Sequence, residues 1–327
     1  GAYVSQATLN ATRPTLYLNA REDGNEVSST SYVLRLAEQV ATDSTVRAYL
    51  DSVNVTVLPM SNPDGAQEAY RRQKVNPDFM LHSGYYAALG PSMGAQEDEQ
   101  DPIYPEATVE PRLRRHSLPD IFMNLHGYPS HEWVQYFSGY SAWVFSRNET
   151  SRSWWPTRGY FLTGFDWIAD SEYPELKTAA FTALDSITAA LSTRDSLMAL
   201  SREAYQRYRK YRTPAEGYGE YFRNGVRVHS DIKGDELDSP HPTDVRDPRI
   251  TPFSITTEAQ DETARGDWLR LQAGAGLTAV KAALRYLYEG KNTVVREAET
   301  SDGTVRRWVL REKPVLPPGA ADEDSGH

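Results

Sequence analysis

Asp23 and Glu26 stand three residues apart where a β-prone run, TLYLNA (15–20), gives way to an amphipathic one, SSTSYVLRLAEQVA (28–41). His126 lies at the end of the apolar run DIFMNLHG (120–127), and Glu258 closes SITTE (254–258). Two carboxylates and an imidazole drawn from separate elements can ligate one metal ion. A further carboxylate beside them can take a proton from water and return it, so the chemistry would be metal-assisted hydrolysis. The chain has no cysteine, which leaves His, Asp and Glu as its only strong ligands. Each residue also has a plainer reading. Acids at a helix start favour the positive end of the dipole, and an Asp there can cap. His126 alone is a hydrogen-bonded, partly buried imidazole, and Glu258, close to Asp261 and Glu262, fits a solvated acidic face. Spacing alone leaves both readings open.

The elements that must position these residues follow from periodicity. TLYLNA alternates as a strand, and the run after it places Val33, Leu36, Ala37 and Val40 at helical spacing. VNVTVLPM (53–60) is a second strand, ended by the turn formers of SNPDG (61–65). DIFMNLHG and TPFSITTE (251–258) are further strands. A long helical stretch over 174–211 carries Phe181, Leu184, Ile187 and Leu191 on one face, and a last helix spans about 268–289. Residues 75–115 and 224–249 read as loops, and 292–316 alternates around SDGT as a hairpin before a disordered acidic tail. Strands separated by helices predict an α/β fold, a mixed twisted sheet flanked by helices on both faces, whose strand ends gather the chemistry.

Composition narrows the function. The 327 residues carry a net charge of −10 with a sequence pI near 5.3, too few clustered cations for a nucleic-acid surface. No apolar run approaches the roughly 18–20 residues of a membrane span, so no membrane partner is expected, and the N-terminus lacks the pattern of a signal peptide.

Four segments, NAREDGNEVSSTSYVLRLAE, LPMSNPDG, DIFMNLHGYPSHEW and PFSITTEAQD, occur in the order and kind found in zinc metallocarboxypeptidases, the relatives of carboxypeptidase A. The resemblance spans about residues 10–290. It implies a carboxypeptidase-like sheet without the family's first strands, a catalytic domain over 1–290, a C-terminal hairpin over 291–316 and a tail over 317–327. It also implies a peptide substrate, one Zn²⁺ ion, and a secreted or periplasmic location. In the family, an H-x-x-E motif and a distant His hold zinc and a Glu on a late strand is the general base. Glu26, His126 and Glu258 match the second ligand, the third ligand and the base, while Asp23 occupies the first ligand's position. Two carboxylates and a neutral His cancel the charge of Zn²⁺, which acidifies water less. Oxygen in place of nitrogen also shifts preference toward harder ions such as Mn²⁺ or Mg²⁺, or leaves a binding module that holds no ion. The family's oxyanion Arg downstream of the N-P-D-G turn has Arg71 or Arg72 as its candidates. Nothing matches the family's Asn-Arg carboxylate clamp, and no Tyr lies between Tyr221 and Glu258. A deacylase or amidase acting on small acylated amino acids or cell-wall peptides is therefore the alternative.

Overall fold

The computed structural model describes residues 10, 13–75, 105–128, 157–167, 174–211, 221–228, 251–262, 264–290, 297–299 and 305–307. In chain order the first half comprises β1 (Thr15–Ala20), α1 (Val27–Thr42), α2 (Ser44–Ala48), β2 (Asn54–Leu58), α3 (Pro63–Val75), α4 (Val109–Ser117) and β3 (Ile121–Tyr128). The second half comprises β4 (Phe161–Trp167), α5 (Pro174–Ser192), α6 (Asp195–Tyr211), β5 (Tyr221–Arg223), β6 (Val226–Val228), β7 (Phe253–Gln260), α7 (Gly266–Glu289), β8 (Glu297–Glu299) and β9 (Val305–Arg307).

Seven strands form one mixed sheet in the order β2-β1-β3-β7-β4-β6-β5. β2, β1, β3 and β7 run parallel; β4 is antiparallel to β7, and β5 to β6. β1 is buried along its whole length, so its two-residue period separates two covered faces. Leu16, Leu18, Met123, Leu125 and Ile255 point to one face and pack in a single apolar core with Val33 and Leu36 of α1, Leu184 and Ile187 of α5, and Val280 and Leu284 of α7. The other face carries Tyr17, Asn19, Phe122, Asn124, His126 and Glu258. There α4 sets the Arg114 guanidinium 5.0 Å over the Phe122 ring. The fold is thus α/β, with a mixed sheet flanked by helices on both faces. This second face mixes buried aromatic residues, Tyr17 and Phe122, with polar ones.

Several segments differ from their sequence-based expectation. The helical stretch over 174–211 is two helices, broken at Thr193–Arg194, where the Thr193 and Arg194 amides turn back to Ala190 and Leu191 carbonyls. The range 75–115, expected as loop, contains a 3₁₀ turn at Pro105–Thr108 and most of α4, and the loop-like 224–249 contains β6. β4 was absent from the periodicity reading. Gly164 sits at φ 52° and the pairing with β7 shifts between Thr163 and Asp166, so a bulge breaks the two-residue alternation that reveals a strand. Near the C-terminus β8 and β9 pair antiparallel, Glu297 opposite Arg307 and Glu299 opposite Val305. The expected turn between them and the tail at 317–327 lie outside the described residues. Among the described residues no helix is long and apolar enough to cross a membrane.

Candidate metal centre

The joint between β1 and α1 is built by a close backbone approach. Arg21 turns the chain at φ 60°, and the loop packs on the first turn of α3 so tightly that a Cβ on Gly24 would lie 2.1 Å from the Ala66 nitrogen. The Asn62–Gly65 turn holds this arrangement: the Ser61 and Asn62 amides donate to the Ala20 and Arg21 carbonyls at 2.9 and 3.1 Å, and Asn62 Oδ1 accepts from the Gly65 amide at 2.8 Å. The N-P-D-G sequence is therefore a structural latch behind Asp23 and Glu26.

Neither acid caps α1. Glu26 is the N-cap residue, yet its side chain makes no capping hydrogen bond. The Ser28 amide of the first turn instead donates 2.6 Å to Asp261 Oδ2, a carboxylate that follows β7. An acid from a distant strand satisfies the helix end and leaves Glu26 free for the cleft.

His126 receives both loop carboxylates on one ring nitrogen. Its Nδ1 lies 3.3 Å from Asp23 Oδ2 and 3.2 Å from Glu26 Oε2, and its Nε2 lies 3.4 Å from Glu22 Oε2. Ligand atoms of Asp23, Glu26 and His126 all fall within 4.8 Å of one another. Asp23 and Glu26 are 7% and 3% exposed, too buried for a solvated acidic cluster. In register with His126 on the adjacent parallel strand stands Glu258, so the two side chains share a face about 4.8 Å apart along the sheet. Asp23, Glu26, His126 and Glu258 therefore converge.

This donor set fits a divalent cation. Two buried carboxylates and one imidazole come from separate elements with their ligating atoms already close, and buried Glu26 Oε2 completes no hydrogen bond. Glu22 opposes the other ring nitrogen and also accepts from Asn124 Nδ2 at 3.0 Å, the arrangement in which a carboxylate fixes the tautomer of a ligating His. Glu22 escaped the sequence reading, which weighed only Asp23 and Glu26 in REDGNE. The signal was Asn124, two residues before His126 and hence on the same face.

The electrostatics reflect crowded acids. Burial drives the Glu26 pKa well above the carboxylate range, with His126 opposing and Asp23 reinforcing the rise. Burial disfavours the charged form of His126, but Glu26, Asp23 and Glu22 outweigh it and hold the imidazole pKa well above its ordinary value. Glu258 is pushed up to about 8 by burial, against the pull of His126 and Arg158.

Asp261 is raised to about 7, again by burial, although Ser28 and Arg21 favour its charged form. The folded state thus binds this proton more tightly than the unfolded chain, whose Asp titrates near about 3.9. Its contribution to stability is complete below pH about 4 and declines as pH rises to about 7. Asp261→Asn keeps an acceptor for Ser28 and removes the charge. Relative to wild type, this variant is expected to gain stability between pH 4 and 8, on the order of a few kcal/mol, in urea unfolding at matched pH. An unchanged difference across that range would contradict the assignment.

Arg71 and Arg72 are not gathered into the cluster. They lie on α3 with side chains 72% and 51% exposed, both paired with Glu68.

Residues 3–79 match the family described as zinc carboxypeptidase. A comparison with curated proteins found no match. Among solved structures the chain is similar to a metallo-carboxypeptidase from Burkholderia cenocepacia, with 15% identity and a TM-score of 0.42 over 85% of this chain and 57% of that one. It is also similar to thrombin activatable fibrinolysis inhibitor, at 12% and 0.46 over 85% and 63%. A metallo-carboxypeptidase from Pseudomonas aeruginosa gives 14% and 0.43 over 84% and 58%. The chain thus spans about three fifths of the length of these structures. Its resemblance to zinc carboxypeptidases falls, by the family match, on the segment that builds the Asp23–Glu26 side of the centre, from β1 through the turn at Asn62–Gly65.

Proposed function

We propose that this protein hydrolyses a peptide or amide bond with the aid of one divalent cation held by Asp23, Glu26 and His126. The observation that carries this reading is the placement of Glu258 in register with His126, beside three donors, two of them buried carboxylates, within 4.8 Å of one another. A cation held there supplies Lewis acidity to a carbonyl and lowers the pKa of water. Glu258 serves as the base that accepts a proton from the attacking water and as the acid that delivers it to the leaving amine. A carboxyl raised to about 8 holds such a proton readily. Glu22 orients His126 through the far ring nitrogen. Arg71 or Arg72 can steady the oxyanion only by exchanging Glu68 for the substrate.

Two measurements test the reading. Protein purified without chelator should bind one equivalent of Zn²⁺ or Mn²⁺, and hydrolysis should vanish on chelation and return with the ion. Because Glu26 and His126 hold protons tightly, uptake should release protons, and affinity should fall by about tenfold per pH unit on acidification for each proton displaced. Assays run in parallel on C-terminal peptides and N-acyl amino acids assign the bond. Absence of both ion binding and turnover would favour a non-catalytic binding module.

A further inference from the structure

Among the described residues Arg227 is a buried cation with no counter-ion. It stands on β6 opposite Phe161 of β4, is 4% exposed, and none of its three guanidinium nitrogens makes a hydrogen bond among the described residues. Its guanidinium lies 4.7 Å from the Tyr205 ring centre, 5.1 Å from Tyr208 and 5.3 Å from Phe161. Aromatic faces stabilise a desolvated guanidinium, but they leave its N–H edge unsatisfied. A second buried arginine stands close by. Arg158 shares the same rings, 5.5 Å from Tyr208 and 5.7 Å from Phe161, and its charge opposes that of Arg227. Its segment is fixed by Tyr128, whose hydroxyl accepts from the Arg158 amide at 3.1 Å and donates to the Gly159 carbonyl.

Both arginines line a cavity of about 260 Å³ between β4, β6 and α6. Arg202 and Arg209 also line it, and Leu197, Met198, Tyr205 and Phe222 supply an apolar part of the wall. The unsatisfied guanidinium of Arg227 in a wall that carries four arginines calls for an anion, and the apolar part of the wall calls for a body attached to it. A planar carboxylate matches the fork of a guanidinium with two parallel hydrogen bonds. A more strongly hydrated phosphate would lose more on entering a chamber partly walled by Leu197, Met198 and Phe222.

We propose that this cavity binds a small carboxylate carrying an apolar or aromatic body, with Arg227 as its anchor and Arg158 beside it. Arg227 stands two strands from Glu258, across Phe161 of β4, and the cavity shares no residue with the Asp23–Glu26–His126 cluster. Two of its lining residues, Arg158 and Tyr160, interact electrostatically with Glu258, so the cavity neighbours the proposed base without containing any of the three cation donors.

Isothermal titration calorimetry on the full chain tests this with 3-phenylpropionate, its neutral counterpart 3-phenyl-1-propanol, and inorganic phosphate, each before and after chelation. The acid should bind about tenfold or more tightly than either the alcohol or phosphate, equally well in chelated protein. Arg227→Met should weaken the acid by about tenfold or more and leave the alcohol unchanged. Replacing a buried, unpaired cation by an apolar side chain of similar length should preserve the fold, which circular dichroism checks. Arg158→Met supplies a second variant with the same expected direction. Equal binding of acid and alcohol, indifference to both substitutions, or no binding of the acid overturns the proposal. Phosphate binding as tight as the acid overturns the carboxylate assignment, and binding lost on chelation would move the ligand to the metal centre.

Discussion

Glu258→Gln should lower kcat by about 10²–10⁴-fold while the variant retains its divalent cation and nearly unchanged KM. Glutamine keeps the shape of the side chain and its place opposite His126, but it can neither accept a proton from water nor return one to an amine. The pH profile separates a proton carrier from a packing residue. Without a cation, burial places Glu258 at about 8; a cation at the neighbouring donors favours its ionised form and lowers that value. A base works when ionised, so kcat/KM should rise with pH along an acid limb whose midpoint lies below 8, and that limb should be missing from the residual activity of Glu258→Gln. A variant that keeps both full turnover and the wild-type limb would remove Glu258 from the chemistry.

The parts of this site that could be read from sequence share one property: each is encoded locally. β1 and β3 announce themselves by apolar runs that stop at polar residues, so Glu26 and His126 could be placed at strand ends without coordinates. Glu258 is readable because it closes a β-prone run, and the structure sets it on the adjacent strand in register with His126. What escaped depends on distant chain segments. Asp261 caps α1 across 233 residues, which frees Glu26 from the role that its position at a helix start suggested. Arg227 and Arg158 acquire meaning only when β6 is seen beside β4, a strand whose bulge hides its period. Arg71 and Arg72 illustrate the converse. Their position after the N-P-D-G turn was suggestive, but helical spacing gave both of them a nearer carboxylate, Glu68, three and four residues away.

His126→Ala should weaken cation binding more than any other single change, by about a hundredfold or more, since a change in an outer partner of a ligand already costs about 10–100-fold. The imidazole is the only nitrogen donor in the set and lies directly against Glu22, Asp23 and Glu26. Its loss leaves an all-oxygen site, so Zn²⁺ should suffer more than Mn²⁺. Glu22→Gln should act more gently, within the 10–100-fold range, because it disturbs only the orientation and basicity of the ring. Asp23→His tests the opposite direction: it restores a nitrogen donor and one unit of positive charge on the bound ion, and should raise the Zn²⁺ to Mn²⁺ affinity ratio together with turnover in zinc. Competition titrations with a chromogenic chelator give all three affinities. If wild type binds neither ion and only Asp23→His acquires zinc, the aspartate has switched the centre off, and the cleft serves to bind rather than to cut. If His126→Ala and Glu22→Gln bind both ions as wild type does, the cation sits elsewhere and the cluster is a buried ion-pair network.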